Sequence, residues 1–361
     1  MFIDTSIMNK NKRFFIRFIC TFIISFFTYA SVSSVPFISK ESELKIGVSG
    51  DKEVIIQYGI YQDKTLQLYV NNIGQNLISK LSNREFRKFY FKIVDSSEIN
   101  AFALPGGYVY ITRGLLAALN SEAELASVIG HEISHITLHH GAKMMLRSIG
   151  GQILSLGGVI ASPENAGKWL MISSSLFKQI NMGYGRSAEL DADAQGMMNS
   201  VDAGYRPLAM LKFLKNLRNQ EIMSGQSYHG FQASHPDTRE RIVKARMLGD
   251  SLSRKYPNTK QNQNTYLNHL NGLVYDGQRH KKDKRKYKPK YLEIYKIKKG
   301  DTLTNIALNL FNDDRHSLEI SIINGIRENS ILTPGLLLKI IRNGVYIKPK
   351  PTNLYKGSLG N

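Results

Sequence analysis

The stretch Gly130–His135 reads GHEISH: two histidines four residues apart, with a glutamate directly after the first. On an α-helix, residues i and i+4 lie on one face, so His131 and His135 can aim both rings at a single cation. Glu132 is turned about 100° from His131, beside such a cation without ligating it, where it can hold a water. The chemistry served by this pattern is metal-assisted hydrolysis. A catalytic zinc takes three protein ligands and keeps one position open; it polarises a carbonyl and lowers the pKa of a water to about 7, and the glutamate takes the proton. Two imidazoles around an acid also occur as an ion-pair pattern on exposed helices. Here they lie within the apolar stretch LASVIGHEISHITL, where charged groups need a reason to be buried.

The third ligand must come from elsewhere. A histidine six residues beyond His135 would complete one zinc arrangement, but that position is Gly141. His139 and His140 fall at the expected helix end, where the dipole favours a histidine without any metal. Glu189, in GRSAELDADAQG, is the better candidate. Glu189 and Asp193 are again i and i+4 on a second helix, so Glu189 could ligate while Asp193 accepts the free ring N–H of a bound histidine. The same spacing also describes an exposed acidic helix face, and Asp191 beside it fits that reading.

These residues need elements to position them. Apolar spacing predicts a helix over Leu66–Leu81, and alternation predicts strands at Phe89–Asp95 and Tyr108–Thr112. Ser121 and Glu124 have the spacing of a capping box, so a helix should start there, run through GHEISH to about His140 and end at Gly141. Ile149–Ala161, apolar with four glycines, reads either as a mobile flap or as buried core. Further helices are expected from about Ser187 to Val201, after Pro207 and after Asp237. Leu44–Leu252 therefore reads as one folded unit.

Taken together, YGIYQDKTLQLYVNNIGQNL, NAFALPGGYVYITRGLL, GHEISHITLHHGA, the Glu189/Asp193 pair and SHPDTRERI, in this order, resemble the zinc metallopeptidases of the BepA, LoiP and HtpX kind, relatives of the CAAX prenyl proteases. The likeness runs from about Gly47 to Leu252. It implies one Zn2+ held by His131, His135 and Glu189, with Glu132 as general base and Asp193 supporting a ligand. It also implies that His235 acts near the metal, either gating the site as an extra ligand or stabilising the oxyanion. The competing role for His235 is to order the turn before the Asp237 helix. The NAFALPGGYVYI segment resembles the family's substrate-binding edge strand, with Ala103, Gly106, Gly107, Tyr108 and Val109 as contacts to which a peptide could add as a strand. An internal strand behind the site is the alternative. No TPR-like helical repeats follow the peptidase segment.

The rest of the 361-residue chain bounds location and partners. Lys10, Lys12, Arg13 and Arg17 precede the apolar run Phe18–Ala30, and Thr28 and Ala30 are small residues before a cut, so residues 1–30 read as a secretory signal. The run is short of the ~20 residues that span a bilayer; an uncleaved anchor is the other reading. The only cysteine, Cys20, lies inside it, so disulfides do not hold the mature chain together. Cleavage would remove four basic residues and one acid from a formal charge of +19, which leaves the mature protein strongly basic. Such a chain suits nucleic acid, an anionic membrane surface or an acidic wall polymer. No base-reading or stacking element accompanies the charge, so nucleic acid is excluded.

Residues 253–291 are polar and then basic, ending in RHKKDKRKYKPK, and read as a linker. Residues 292–342 read as strand, helix, helix, strand. GDTL, Ile306-Ala307, Asn324 and Pro334-Gly335 resemble a LysM domain, which implies peptidoglycan binding in a groove between the start of the first helix and the loop after the second. A small cap with no binding role is the alternative, and residues 343–361 form a tail. The expected fold is a mainly α zincin-like metallopeptidase domain with a small β-sheet over residues 40–252, plus the small α+β LysM-like βααβ domain. The expected function is an exported zinc endopeptidase of the periplasm or cell envelope, associated with the wall or outer membrane, acting on unfolded or misassembled envelope proteins and tethered to peptidoglycan. A hydrolase of peptidoglycan stem peptides and a non-enzymatic wall-binding or chaperone-like protein are the rivals.

Overall fold

The computed structural model describes residues 38–82, 86, 88–149, 166–224, 229–236, 239–276 and 289–348. Contacts divide the chain into residues 1–39 and Lys40–Asn361, and every element described here belongs to the second part. The expected signal at 1–30, nearly all of the glycine-rich segment 149–161 and the core of the basic run at 277–288 lie outside the described residues. Among the described residues, no helix is long and apolar enough to cross a membrane. The architecture is mainly helical with two small sheets.

Helices α1 (Lys40–Tyr58) and α2 (Lys64–Ser79) come first, α2 capped by the Asp63 carboxylate on the Leu66 N–H. Strands β1 (Tyr90–Val94), β2 (Ala101–Leu104) and β3 (Tyr108–Thr112) are rich in aromatic and apolar residues that suit a packed pleat. They order as β1-β3-β2, with β1 parallel and β2 antiparallel to β3. The Pro105–Gly107 turn joins β2 to β3, and Gly106 and Gly107 both take positive φ. A side chain on Gly106 would meet the Glu43 carbonyl, and one on Gly107 the Lys88 carbonyl. This topology corrects part of the substrate-strand expectation. Tyr108 and Val109 lie on the central strand β3, paired on both sides, and Gly106 and Gly107 are committed to the turn. Among the described residues β1 and β2 are the edge strands, and β2, carrying Ala103, is the one beside His235.

After the short helix α3 (Arg113–Ala118), α4 (Glu122–Thr137) carries GHEISH. The Ser121 hydroxyl accepts the Glu124 N–H at 3.2 Å, while the Glu124 carboxylate accepts the Asn120 N–H, one residue before the cap's own amide. The helix ends earlier than expected. His139 adopts φ 56, α5 (His140–Ile149) begins at once, and Gly141 lies inside it. His139 is held in that conformation by a 2.6 Å bond to buried Glu43 on α1.

Helices α6 (Ala166–Met182), α7 (Arg186–Asp202), α8 (Ala209–Ser224), α9 (His229–Ser234) and α10 (Arg239–Lys255) complete this half. The crossing of α4 and α7 positions the candidate ligands. A Cβ on Gly196 would lie 2.7 Å from the His131 backbone nitrogen, and one on Gly130 2.8 Å from the Gly196 carbonyl oxygen. Two glycines thus bring the backbones close enough for side chains one turn away to meet.

The expected spacer at 253–291 is structured over its described first half. Helix α10 runs to Lys255, and α11 (Gln263–His269) buries Tyr266 and Leu267 in the main core. Residues 272–275 then pair with β4 (Lys290–Lys296), through the Leu292 N–H to the Leu273 carbonyl at 2.9 Å. The polar composition misled because the apolar residues of this segment are few but fully buried. Strand β4 pairs antiparallel with β5 (Leu337–Asn343), and α12 (Leu303–Phe311) and α13 (His316–Ile323) lie between them in sequence, as the residue pattern predicts. This segment has a small core of its own around Ile306, Ala307 and Ile340. Leu292, Ile323, Leu337 and Ile341 nevertheless join the main core, and buried Lys339 donates to the carbonyls of Ala117 and Leu119 at the end of α3.

Candidate active site

The exposed-acidic-face reading of the second helix predicts a solvated Glu189. Instead Glu189 is 1% exposed, and it faces the histidines of α4. His131 and His135 approach to 3.0 Å between their Nε2 atoms, and His235 Nδ1 lies 3.2 Å from His131 Nε2. Glu189 Oε2 is 3.4 Å from His131 Nε2, and its Oε1 is 3.5 Å from His135 Nε2 and 3.1 Å from His235 Nδ1. One ligand atom from each of these four residues falls within 4.8 Å of the others. Ligand atoms about 2.0–2.1 Å from a tetrahedral zinc sit about 3.3 Å apart. The observed separations match, and an imidazole and carboxylate donor set is one that zinc favours. The residues therefore fit the ion.

Around these four lies a supporting layer. His131 Nδ1 is 3.0 Å from Asp193 Oδ1. Arg241, from α10, grips Asp193 with two bonds of 2.7 and 2.8 Å and places Nη1 2.8 Å from Glu189 Oε2. The same guanidinium donates to the His235 and Pro236 carbonyls, so one side chain ties α7 to the turn that carries His235. Residue spacing did not single out Arg241, because its carboxylate partner Asp193 lies 48 positions away. Tyr184 was missed as well: it stacks on His135 at 3.9 Å, from a bend between Gly183 and Gly185. His139 and His140 stay outside the four-residue group. His140 Nδ1 instead meets the outer nitrogen of His135 at 2.9 Å, and His139 bonds to Glu43.

Glu132 is fully buried, and among the described residues neither carboxylate oxygen has a hydrogen-bond partner. His235 Nε2 comes within 3.3 Å of Oε1 without hydrogen-bond alignment. Burial pushes the Glu132 carboxyl above its ordinary range, against the pull of His235 and His131. Burial alone would lower His131, but Asp193 and Glu189 raise it to about 10. Burial would raise Glu189, yet His235 and His131 hold it well below the usual carboxylate range. The groups thus diverge as acid–base work requires: one carboxyl disposed to carry a proton beside another held ionised.

The edge of β2 borders this site. Its Ala101 carbonyl lies 3.4 Å from His235 Nε2. The Thr112 N–H bonds to the Asn100 carbonyl, so antiparallel alternation turns the backbone groups of Ala101 and Ala103 away from β3, toward the free edge. Helices α1 and α6 both contact β2, and the site residues are closed to solvent in this conformation.

Comparison with known proteins covers this region. The model of peptidase family M48 matches residues 64–248. A relative from Vibrio cholerae is 34% identical over 210 residues, 56% of this chain and 42% of that protein. The beta-barrel assembly-enhancing protease of Escherichia coli (strain K12) is 30% identical over 204 residues, 54% of this chain and 41% of its own length. The mitochondrial metalloendopeptidase OMA1 of Arabidopsis thaliana is 27% identical over 163 residues, 44% of this chain and 32% of its own length. The chain thus spans about two fifths of the bacterial relatives it matches. Because the family match takes in more than half of the sequence, including both helices that supply the converging donors, the chain belongs to peptidase family M48, a family of zinc-dependent metallopeptidases.

Proposed function

We propose that the protein is an exported endopeptidase of the cell envelope that cleaves unfolded or misassembled envelope proteins. His131, His135 and Glu189 would hold the zinc. When bound there, zinc supplies Lewis-acid polarisation of the scissile carbonyl and acidifies a water. Glu132 accepts the proton and later returns it to the leaving amine, a role suited to its buried carboxylate, which has no hydrogen-bond partner among the described residues. Asp193 fixes His131 with Nε2 toward the metal, and Arg241 keeps Asp193 and Glu189 ionised and in place. The free edge of β2 receives the substrate backbone as an added strand, through Ala101 and Ala103. His235 serves as a gate: its Nδ1 belongs to the donor cluster and its Nε2 crowds Glu132. The observation that carries the reading is the convergence of four buried donors beside a buried carboxylate without a hydrogen bond among the described residues.

The envelope location rests on the sequence pattern of residues 1–30 and on the name of the bacterial relative. The C-terminal strand–helix–helix–strand module is read as a LysM-like glycan binder. Its support is a surface pocket of about 330 Å³ lined by Thr304, Asp314, Arg315, Ser317, Leu318 and Glu328, which joins the start of α12 to the loop after α13. Peptidoglycan is its expected ligand, and the basic run at 281–290 adds attraction to anionic surfaces.

Zinc analysis with casein cleavage on the wild type, Glu132→Gln and His235→Ala tests the reading. Bound zinc in all three, cleavage lost in Glu132→Gln and raised in His235→Ala is the expected result. Cleavage abolished in His235→Ala would make that residue the oxyanion donor instead of a gate. Hydrolysis of purified sacculi in preference to unfolded protein would replace the substrate.

A further inference from the structure

A cavity of about 350 Å³ opens at the N-terminal end of α4. It is distinct from the zinc-site residues: Glu124, in its wall, precedes His131 by seven residues, about 10 Å along the helix. Glu124 is fully buried. Its Oε2 accepts the Asn120 N–H at 2.8 Å, but among the described residues Oε1 has no hydrogen-bond donor. Lys212 Nζ lies 3.9 Å from Oε1, a neighbouring charge outside hydrogen-bond reach. Buried Lys339 attracts this carboxylate as well, so its charge is compensated from within the fold. Lys212 and Arg206 make the rim cationic, and Arg206 is held there by its bond to Gln261. Leu208, Tyr256 and Pro257 supply apolar wall.

Each simple ligand fails one of these features. A metal cation would be repelled by Lys212 and Arg206. An inorganic anion would leave the apolar wall uncovered. The complementary ligand has a negative charge at the mouth and an apolar body, within a volume at the small end of ligand sites.

We propose that this cavity docks the C-terminal residue of a peptide chain. Its side chain packs on Leu208, Tyr256 and Pro257, and its carboxylate pairs with Lys212 and Arg206. Capture of a chain terminus by charge and backbone bonds is an established mode of peptide recognition. The inference rests on the peptidase reading only in taking the bound chain to be a substrate, recognised by its end as well as at its cleaved bond.

The test uses the full chain carrying Glu132→Gln, which binds without turnover. A fluorescein-labelled hexapeptide ending in Phe is titrated with a free carboxylate and as its carboxamide. The acid should bind at least about tenfold tighter, and Lys212→Ala or Arg206→Ala should each weaken the acid by about tenfold and leave the amide unchanged. Both residues are exposed, so these substitutions leave the fold intact. On a Glu132 background, both variants should still hydrolyse a short internally quenched peptide with a blocked C-terminus at the wild-type rate. Equal binding of acid and amide, or acid binding indifferent to both substitutions, overturns the proposal. A chain that binds the acid as expected but hydrolyses nothing refutes the peptidase reading alone.

Discussion

At the scale of single residues, the site separates groups that touch the reaction from groups that hold them. Glu132 needs its proton-accepting oxygen, so Glu132→Gln should retain zinc and lose about 10²–10⁴-fold in hydrolysis, measured as metal content beside turnover. Asp193 needs its charge for a different reason. It lies between His131 Nδ1 and a two-bond grip from Arg241, so both its neighbours are cationic or able to become so. Burial would raise its carboxyl, but Arg241 and His131 hold it below the usual carboxylate range. Asp193→Asn preserves the shape while leaving the buried Arg241 charge half-compensated. Zinc affinity should drop about 10–100-fold, read by competition with a chelating dye. The variant should also bring the His131 pKa down, since Asp193 is one of the two partners raising it. A chelator curve identical to wild type would reduce Asp193 to packing.

At the scale of elements, the two ligand helices meet through Gly130 and Gly196. An alanine in a helix is ordinarily favoured over glycine by about 1 kcal/mol. At position 196 the added methyl would lie 2.7–2.8 Å from the backbone of His131, a contact no side-chain rotation relieves. Overpacking of this kind costs about 1–3 kcal/mol, so the clash outweighs the propensity gain. Gly196→Ala should lower thermal stability and zinc content together. Gly185→Ala, where nothing lies within 4 Å of the new methyl, should change neither. How much of this was legible in the sequence follows the range of the interactions. Ser121 and His131/His135 were readable because capping and the i, i+4 face are local rules. Strand β3 was readable for the same reason. The early end of α4 was not, because His139 is turned by Glu43, 96 positions earlier. Arg241 and Tyr184 escaped because their partners come from other elements. The span 263–275 escaped because composition averages over neighbours, whereas Tyr266 and Leu267 are buried one by one.

At the scale of the whole molecule, the C-terminal module belongs to the scaffold of the peptidase. Lys339, on β5, is fully buried and donates to the Ala117 and Leu119 carbonyls at 2.7 and 2.8 Å, groups that the short helix α3 leaves unsatisfied at its end. Burial pushes its ammonium down to about 7, against the attraction of Glu124. Below pH 7 both the folded and the unfolded chain hold this proton, and the cost of burying the charge is present in full. As pH rises past 7 the folded chain releases the proton, while the unfolded chain keeps it to about 10.4. The unfolded state then binds more protons, so the contribution of Lys339 to stability grows across that window. Lys339→Met removes this dependence and strips the α3 carbonyls of their donor, at about 1–3 kcal/mol. Denaturant melts of both proteins between pH 6 and 10 should therefore show the balance shifting toward the wild type by a few kcal/mol as pH rises, with the variant the less stable at the alkaline end. A module merely hung on a solvated spacer would give superimposable melts for the peptidase half at every pH. The packing of Lys339 and Ile323 against the other half requires instead that the zinc site lose stability when the module is disturbed.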